Sequence, residues 1–312
     1  MKAMETTATA GLVQAGLDFS LATKWIAFAQ VKPASVKSYE KGIKRFREYF
    51  AAKNIATPTR EVMIAYRSYL GENYKPSTAN LYITAARLFL GFLQQEGYLK
   101  INPAEHIKGF KIDEGHKKSA LAASDVKEIA AKINTSTLKG SRDKAMFALM
   151  TSCGLRCCEV ARANVGDFEI VDGVIRLHIL GKGRDEKIEA VNVPGGVYNL
   201  IQNWLAARGT VADDAPLFSS VSRNNFGGRL TTVSISRIVK ELMKAADYDS
   251  PRLTAHSLRH TAATTALKSG ATLREVQETL RHRNISVTQI YLHELDALAN
   301  SATNRAATAF GF

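Results

Sequence analysis

Apolar side chains recur at a helical interval over much of this chain. Val36, Tyr39, Ile43, Phe46 and Phe50 follow one another at spacings of 3, 4, 3 and 4, the period of one helix face. Ser77 and Thr78 after Pro76 mark a helix start, and Leu81, Ala85, Leu88 and Phe92 continue as one stripe until Gly97 ends it. The first hundred or so residues therefore read as a unit of three or four helices. At residues 108–120 (KGFKIDEGHKKSA) glycines and charges replace the apolar period, which predicts a linker. Beyond it Ser124 can cap a helix carrying Val126, Ile129 and Ile133. A second helix is expected from about Ser141 through Met146, Leu149 and Met150 to Gly154. Residues 174–180 are rich in β-branched and aliphatic side chains, a GKGR stretch turns the chain, and residues 187–193 return as a second strand before Pro194.

The C-terminal third is punctuated more sharply. His256-Ser257-Leu258-Arg259-His260 opens a helical stretch that runs to Gly270. Thr272 and Glu275 have capping-box spacing for a short helix ending near Leu280, and Ser286 and Gln289 repeat that spacing just before Tyr291. Arg259, His282 and Tyr291 thus fall at successive element ends, where side chains can converge on one pocket.

Composition narrows the function. A length of 312 residues suggests about two domains, and 46% hydrophobic with 23% charged residues is ordinary for a globular protein. The 42 Lys and Arg outnumber the 29 Asp and Glu, leaving +13, a balance that suits a polyanionic partner. No run of about 18 apolar residues exists to cross a membrane, and the N-terminus lacks a secretory core, which points to the cytoplasm. Lys37, Lys41, Lys44, Arg45 and Arg87 lie off the apolar faces and are candidate phosphate contacts. Cys153, Cys157 and Cys158 are bunched around one turn without a distant CxxC, so they read as reduced packing residues. His256 and His260 have the spacing of zinc ligands, but the Glu of an HExxH site and a third ligand are missing. There is no GxSxG elbow and no GxxxxGK[ST] phosphate loop, which argues against a serine hydrolase and against nucleotide hydrolysis.

Four ordered blocks carry a resemblance. They are CGLRCCEV with Arg156 and Glu159, LGKGR with Lys182, HSLRHT with His256 and Arg259, and LRHRNISVTQIYLH with His282 and Tyr291. Their order and separation resemble the tyrosine recombinases, the family of lambda-type integrases, Xer recombinases and Cre, specifically over roughly residues 120–295. Two positions depart from the family pattern. Arg281 stands where a glycine is usual, with a side chain expected to point to solvent in preference to adding a phosphate contact, and Asp185 stands where many members carry a second lysine, which favours Lys182 over Lys187 as the catalytic lysine.

The resemblance implies a mainly α fold with a small antiparallel β sheet, arranged as a two-domain, C-shaped clamp. A tail (1–16) precedes a helical, SAM-like core-binding domain (17–107). The linker (108–120), a catalytic domain (121–296) and a tail exchanged between subunits (297–312) follow. It implies a site-specific recombinase that cuts and rejoins DNA through a 3′-phosphotyrosyl intermediate. Tyr291 would be the nucleophile, Arg156 and Arg259 the phosphate clamp, and Lys182 the general acid. His256 would assist Tyr291, His282 would donate to the phosphate, and Glu159 and His260 would support the pocket. No cofactor or metal is implied. The expected partners are duplex DNA with an inverted-repeat core site and three further copies in a tetramer, in the cytoplasm on the nucleoid. The competing readings are a type IB topoisomerase-like relaxing enzyme and a DNA-binding protein without catalysis.

Overall fold

Helix signals in the first third of the chain are realised as α1 (Leu21–Phe28), α2 (Pro33–Ala52), α3 (Arg60–Asn73) and α4 (Pro76–Gln95). The computed structural model describes residues 17–28, 33–112, 119–181, 186–282, 284–285, 288–289, 291 and 301–311. They fall into two units that divide after Glu114. In the first unit, Thr59 caps α3 by accepting from the Val62 amide at 3.3 Å, and Pro76 opens α4 at the position where a missing N–H costs nothing. The core of this unit is aromatic: Trp25, Phe46, Phe50, Tyr66 and Phe89 are buried, with Phe46 and Phe50 edge to face at 4.6 Å.

Two expectations change here. The stripe foreseen on α4 is right at Ala85 and Phe92, which are buried, and wrong at Leu88, which is 44% exposed, while Ala79, Ile83, Ala86, Phe89, Leu90 and Leu93 are buried besides. α4 packs against both α2 and α3, so its buried arc is wider than a single stripe and centred elsewhere. Arg87, read as a candidate phosphate contact, instead donates from Nε to the Ala104 carbonyl at 3.2 Å and from Nη2 to the Ile107 carbonyl. It ties α4 to the turn that follows, satisfying carbonyls that no helix or strand claims.

The second unit is built around α6 (Leu138–Cys153), preceded by α5 (Ala123–Lys132) and followed by α7 (Cys157–Arg162). α6 packs against α8 (Gly195–Arg208) and α10 (Ala255–Lys268) and is buried on nearly every side. Trp204 of α8 lies fully buried, its indole N–H donating to the Leu217 carbonyl at 2.8 Å. α9 (Thr232–Ala245), α11 (Leu273–Leu280) and α12 (Ser301–Ala309) complete the helices of the described residues. The sheet is antiparallel in the order β1 (Phe168–Val171), β2 (Val174–Ile179), β3 (Glu189–Asn192), with Leu177 facing Phe168 on one side and Val191 on the other.

The sequence reading expected β2 and β3 only. β1 joins β2 through Asp172 and Gly173, both with positive φ (51° and 77°), the conformation that makes Asp-Gly a two-residue hairpin turn. The cysteines are free thiols. Burial pushes the Cys153 thiol up to about 12 and that of Cys157 to about 11, so both stay protonated at neutral pH. Among the described residues no helix is long and apolar enough to cross a membrane.

Candidate active site

The site is assembled in the second unit where three chain reversals meet. The first is the α6–α7 corner. Gly154 ends α6 in the left-handed conformation (φ 60°, ψ 30°), and Arg156 becomes the extended residue that opens α7. Glu159, fully buried three residues on, accepts from the Arg156 amide at 2.8 Å and from its Nη1 at 2.7 Å. One carboxylate thus caps the short helix and fixes the arginine side chain.

The second element is the start of α10. Arg259 is buried, donating from Nη1 to the Gly154 carbonyl at 2.6 Å and from Nη2 to the Leu280 carbonyl. These bonds join α10 to the ends of α6 and α11. Burial, followed by the nearby charge of Arg156, pulls the guanidinium down to about 9, which leaves it protonated at neutral pH. His256 is exposed one turn earlier on the same helix and His260 is buried one residue later, with ring centroids 5.4 Å apart.

The third element follows α11, whose capping box is present as predicted: the Thr272 amide donates to Glu275 at 2.6 Å, and the Glu275 amide donates back to Thr272 Oγ1 at 3.2 Å. Tyr291 is buried, its ring edge-on to His260 at 5.1 Å and nearly parallel to His282 at 6.5 Å. His282 Nδ1 lies 2.9 Å from the Thr288 hydroxyl. Burial first, then the charges of Arg259, Arg156, Arg281 and His256, drive the His282 imidazole down to about 4, so it is neutral at physiological pH.

Arg156, Glu159, His256, Arg259, His260, His282 and Tyr291 are therefore brought into one neighbourhood. Lys182 and Ser286 lie outside the described residues. Lys187, the weaker lysine candidate, is held on the sheet side by both oxygens of Asp167, 2.7 Å from Oδ1. Arg281 corrects an expectation. It does not point to solvent: its side chain is 6% exposed, Nη2 lies 2.8 Å from Glu159 Oε2, and Nη1 donates to the Thr279 carbonyl at 2.6 Å. Its backbone is left-handed (φ 54°, ψ 47°), which accounts for glycine being usual at this place. Burial pushes the Glu159 carboxyl up, but Arg281 and Arg156 outweigh it and hold the group below the ordinary range. Thr288 was also missed, since nothing local marks a hydroxyl six residues after a histidine as its partner.

The Phage integrase family model matches residues 119–297, and that of the phage integrase N-terminal SAM-like domain matches residues 28–97. Tyrosine recombinase XerD of Listeria monocytogenes serotype 4b (strain F2365) is 31% identical over 267 residues, spanning 83% of this chain and 87% of the relative. Among solved structures, XerH site-specific recombinase bound to palindromic difH substrate in a post-cleavage complex superposes with a TM-score of 0.70 at 20% identity, over 89% of this chain and 83% of that one. A lambda integrase tetramer bound to a Holliday junction gives 0.65 at 16% identity, over 87% and 76%. At these identities the two structures speak to the fold alone.

Proposed function

The chain belongs to the phage integrase family, and from that premise we propose how its pocket breaks and reseals DNA. It is a site-specific tyrosine recombinase, a strand-exchange enzyme of a family that needs neither metal nor ATP. Such a reaction needs a nucleophile, neutralisation of charge growing on the phosphate oxygens, and a proton for the departing oxygen. Tyr291 Oη attacks the scissile phosphorus, the bond to the 5′ oxygen breaks, and a 3′-phosphotyrosyl ester forms. The ester conserves the bond energy, so another 5′ hydroxyl can reverse the step. Lys182 protonates the leaving oxygen.

Arg156 and Arg259 hold the non-bridging oxygens, each presenting parallel N–H donors that match phosphate geometry. His282 donates to the phosphate from Nε2: when Nδ1 accepts from the Thr288 hydroxyl, the neutral ring carries its proton on the other nitrogen. His256, exposed at the start of α10, accepts the Tyr291 proton, while His260 orients the Tyr291 ring by edge contact. Glu159 holds Arg156. The observation that carries this reading is the burial of Tyr291 between His260 and His282, beside an Arg259 pinned to two carbonyls.

By the same reading the first unit and the second clamp duplex DNA at an inverted-repeat core site, four copies assemble on it, and residues 297–312 pass between copies. XerH on palindromic difH and the lambda integrase tetramer on a Holliday junction support that assembly by likeness of fold, as does Phe310, left 74% exposed beyond α12. Such an enzyme works in the cytoplasm, on the nucleoid.

The test is covalent trapping. Wild type and Tyr291→Phe are incubated with a library of nicked random duplexes, detergent-resistant adducts are isolated, the attached residue is mapped and the DNA sequenced. Adducts through Tyr291, in wild type only and on a shared inverted-repeat sequence, are expected. Adducts that persist in Tyr291→Phe would remove Tyr291 from the role, and adducts on unrelated sequences would favour a relaxing enzyme.

A further inference from the structure

Arg281 occupies a backbone conformation that disfavours any side chain, and yet it carries a long charged one into the interior. A left-handed residue with a bulky side chain persists only where the surroundings hold it. Here they do: Nη2 reaches Glu159 of α7, Nη1 reaches the last turn of α11, and Nε is buried with no hydrogen-bond partner among the described residues. Glu159 therefore sits between two arginines, Arg156 at the cap of its own helix and Arg281 at the end of α11. The corner that leads into His282 is grasped from α10 as well, through Arg259 and the Leu280 carbonyl.

We propose that Arg281 is a positioning residue for the strand-cleavage site, locking the end of α11 to α7 through Glu159 so that His282 and Tyr291 are set against Arg156 and Arg259 before DNA arrives. This rests on the reading that Tyr291 is the nucleophile. With glycine at this place Glu159 would hold Arg156 alone, and among the described residues no other side-chain bond connects α7 to the corner before His282. Arg281 also acts on His282 by charge. The groups that face the imidazole are Arg259 and His256 of α10, Arg156 of α7, Arg281 itself, Thr288 and Tyr291. Removing one cation from that set raises the imidazole from its position near 4, although burial, the largest cause, stays.

Arg281→Gly tests this, because glycine relieves the backbone strain while deleting the latch. Three readouts on the whole chain separate the possibilities: thermal unfolding, the His282 titration by NMR without DNA, and the rate of adduct formation on the nicked duplex recovered by trapping. The expected result is a chain that still unfolds cooperatively at a melting temperature somewhat below that of wild type, since relief of the strained backbone offsets only part of the lost buried bonds, a His282 midpoint raised by about half a pH unit or more, and adduct formation slowed by about tenfold or more. Arg281→Lys, which keeps the charge, should bring the midpoint back and recover much of the rate. An Arg281→Gly protein that cleaves at the wild-type rate with an unmoved His282 midpoint overturns the proposal. An Arg281→Gly protein that fails to fold also overturns it, by showing a purely structural role. If wild type itself forms no adduct through Tyr291, the underlying reading has failed, whereas the His282 midpoints still decide the charge coupling.

Discussion

Replacing Gly154 with alanine should damage the pocket by a route that can be split into two parts. The first is conformational: an L-residue in the left-handed region costs about 1–2 kcal/mol. The second is steric: a Cβ at position 154 would lie 2.5 Å from Leu280 Cδ2, 3.5 Å from Ala262 Cβ and 3.8 Å from Arg259 Cγ. Leu280 is buried and cannot swing into solvent, so relief means moving the end of α11, at about 1–3 kcal/mol for an overpacked site. Gly173→Ala isolates the first part, since its φ is also positive (77°) and nothing lies within 4 Å of its Cβ. Gly154→Ala should therefore destabilise the second unit by about 2–5 kcal/mol and Gly173→Ala by about 1–2 kcal/mol. Trp25 lies in the first unit and Trp204 in the second, so urea unfolding in a Trp25→Phe background reports the second alone. Because Leu280 and Gly154 both supply carbonyls to Arg259, adduct formation should fall in Gly154→Ala and not in Gly173→Ala. Equal loss of stability in the two variants would refute the steric argument.

Two more outcomes can be checked. Arg87→Met should lower the urea stability of the first unit by about 1–3 kcal/mol, read from Trp25, because the Ile107 carbonyl loses the Arg87 donor and the Ala104 carbonyl keeps only the Ile107 amide; a fall of about one in the slope of log affinity against log salt would instead return Arg87 to the phosphate contacts. Stability should also fall as the pH drops from 6.5 towards 4: the unfolded chain protonates His282 at its ordinary 6.5, the folded chain only near 4. The gap corresponds to about 3 kcal/mol, reduced to about 1–2 kcal/mol by partial solvent screening. His282→Gln should flatten that decline between pH 7 and 4.5, and superimposable curves for the two proteins would count against the assignment.

What was legible in the sequence was whatever is written locally. The α2 face, the Thr272–Glu275 box and the glycine ending α6 are patterns within a few residues, and each was read correctly. β1 escaped because three of its four residues are exposed, so no alternation marks it; the Asp-Gly pair beyond it was the available signal. The stripe on α4 finds Ala85 and Phe92 but includes the exposed Leu88 and omits much of the buried arc, because a helix packed against α1, α2 and α3 buries more than one face. Polarity alone marks Arg87 as a candidate phosphate contact and Arg281 as a solvent-facing cation. The carbonyls that hold Arg87 lie 17 to 20 residues away and the carboxylate that holds Arg281 lies 122 away, and only the tertiary fold brings them together.

The pairing of Glu159 with two arginines has an electrical consequence. Arg156, Arg259 and Arg281 are cations and Glu159 is the one carboxylate they enclose among the described residues, while His282 is neutral at physiological pH. The cluster thus holds two positive charges in excess. On the proposed reading, a docked phosphodiester brings a single negative charge and leaves one of these two unmatched, whereas the pentacovalent phosphorus formed by attack brings the second, and the charge of Lys182 is spent as its proton passes to the leaving oxygen. On that reading the three arginines and Glu159 are complementary to the species at the top of the barrier and not to bound DNA, which is where complementarity accelerates a reaction instead of merely tightening its ground state.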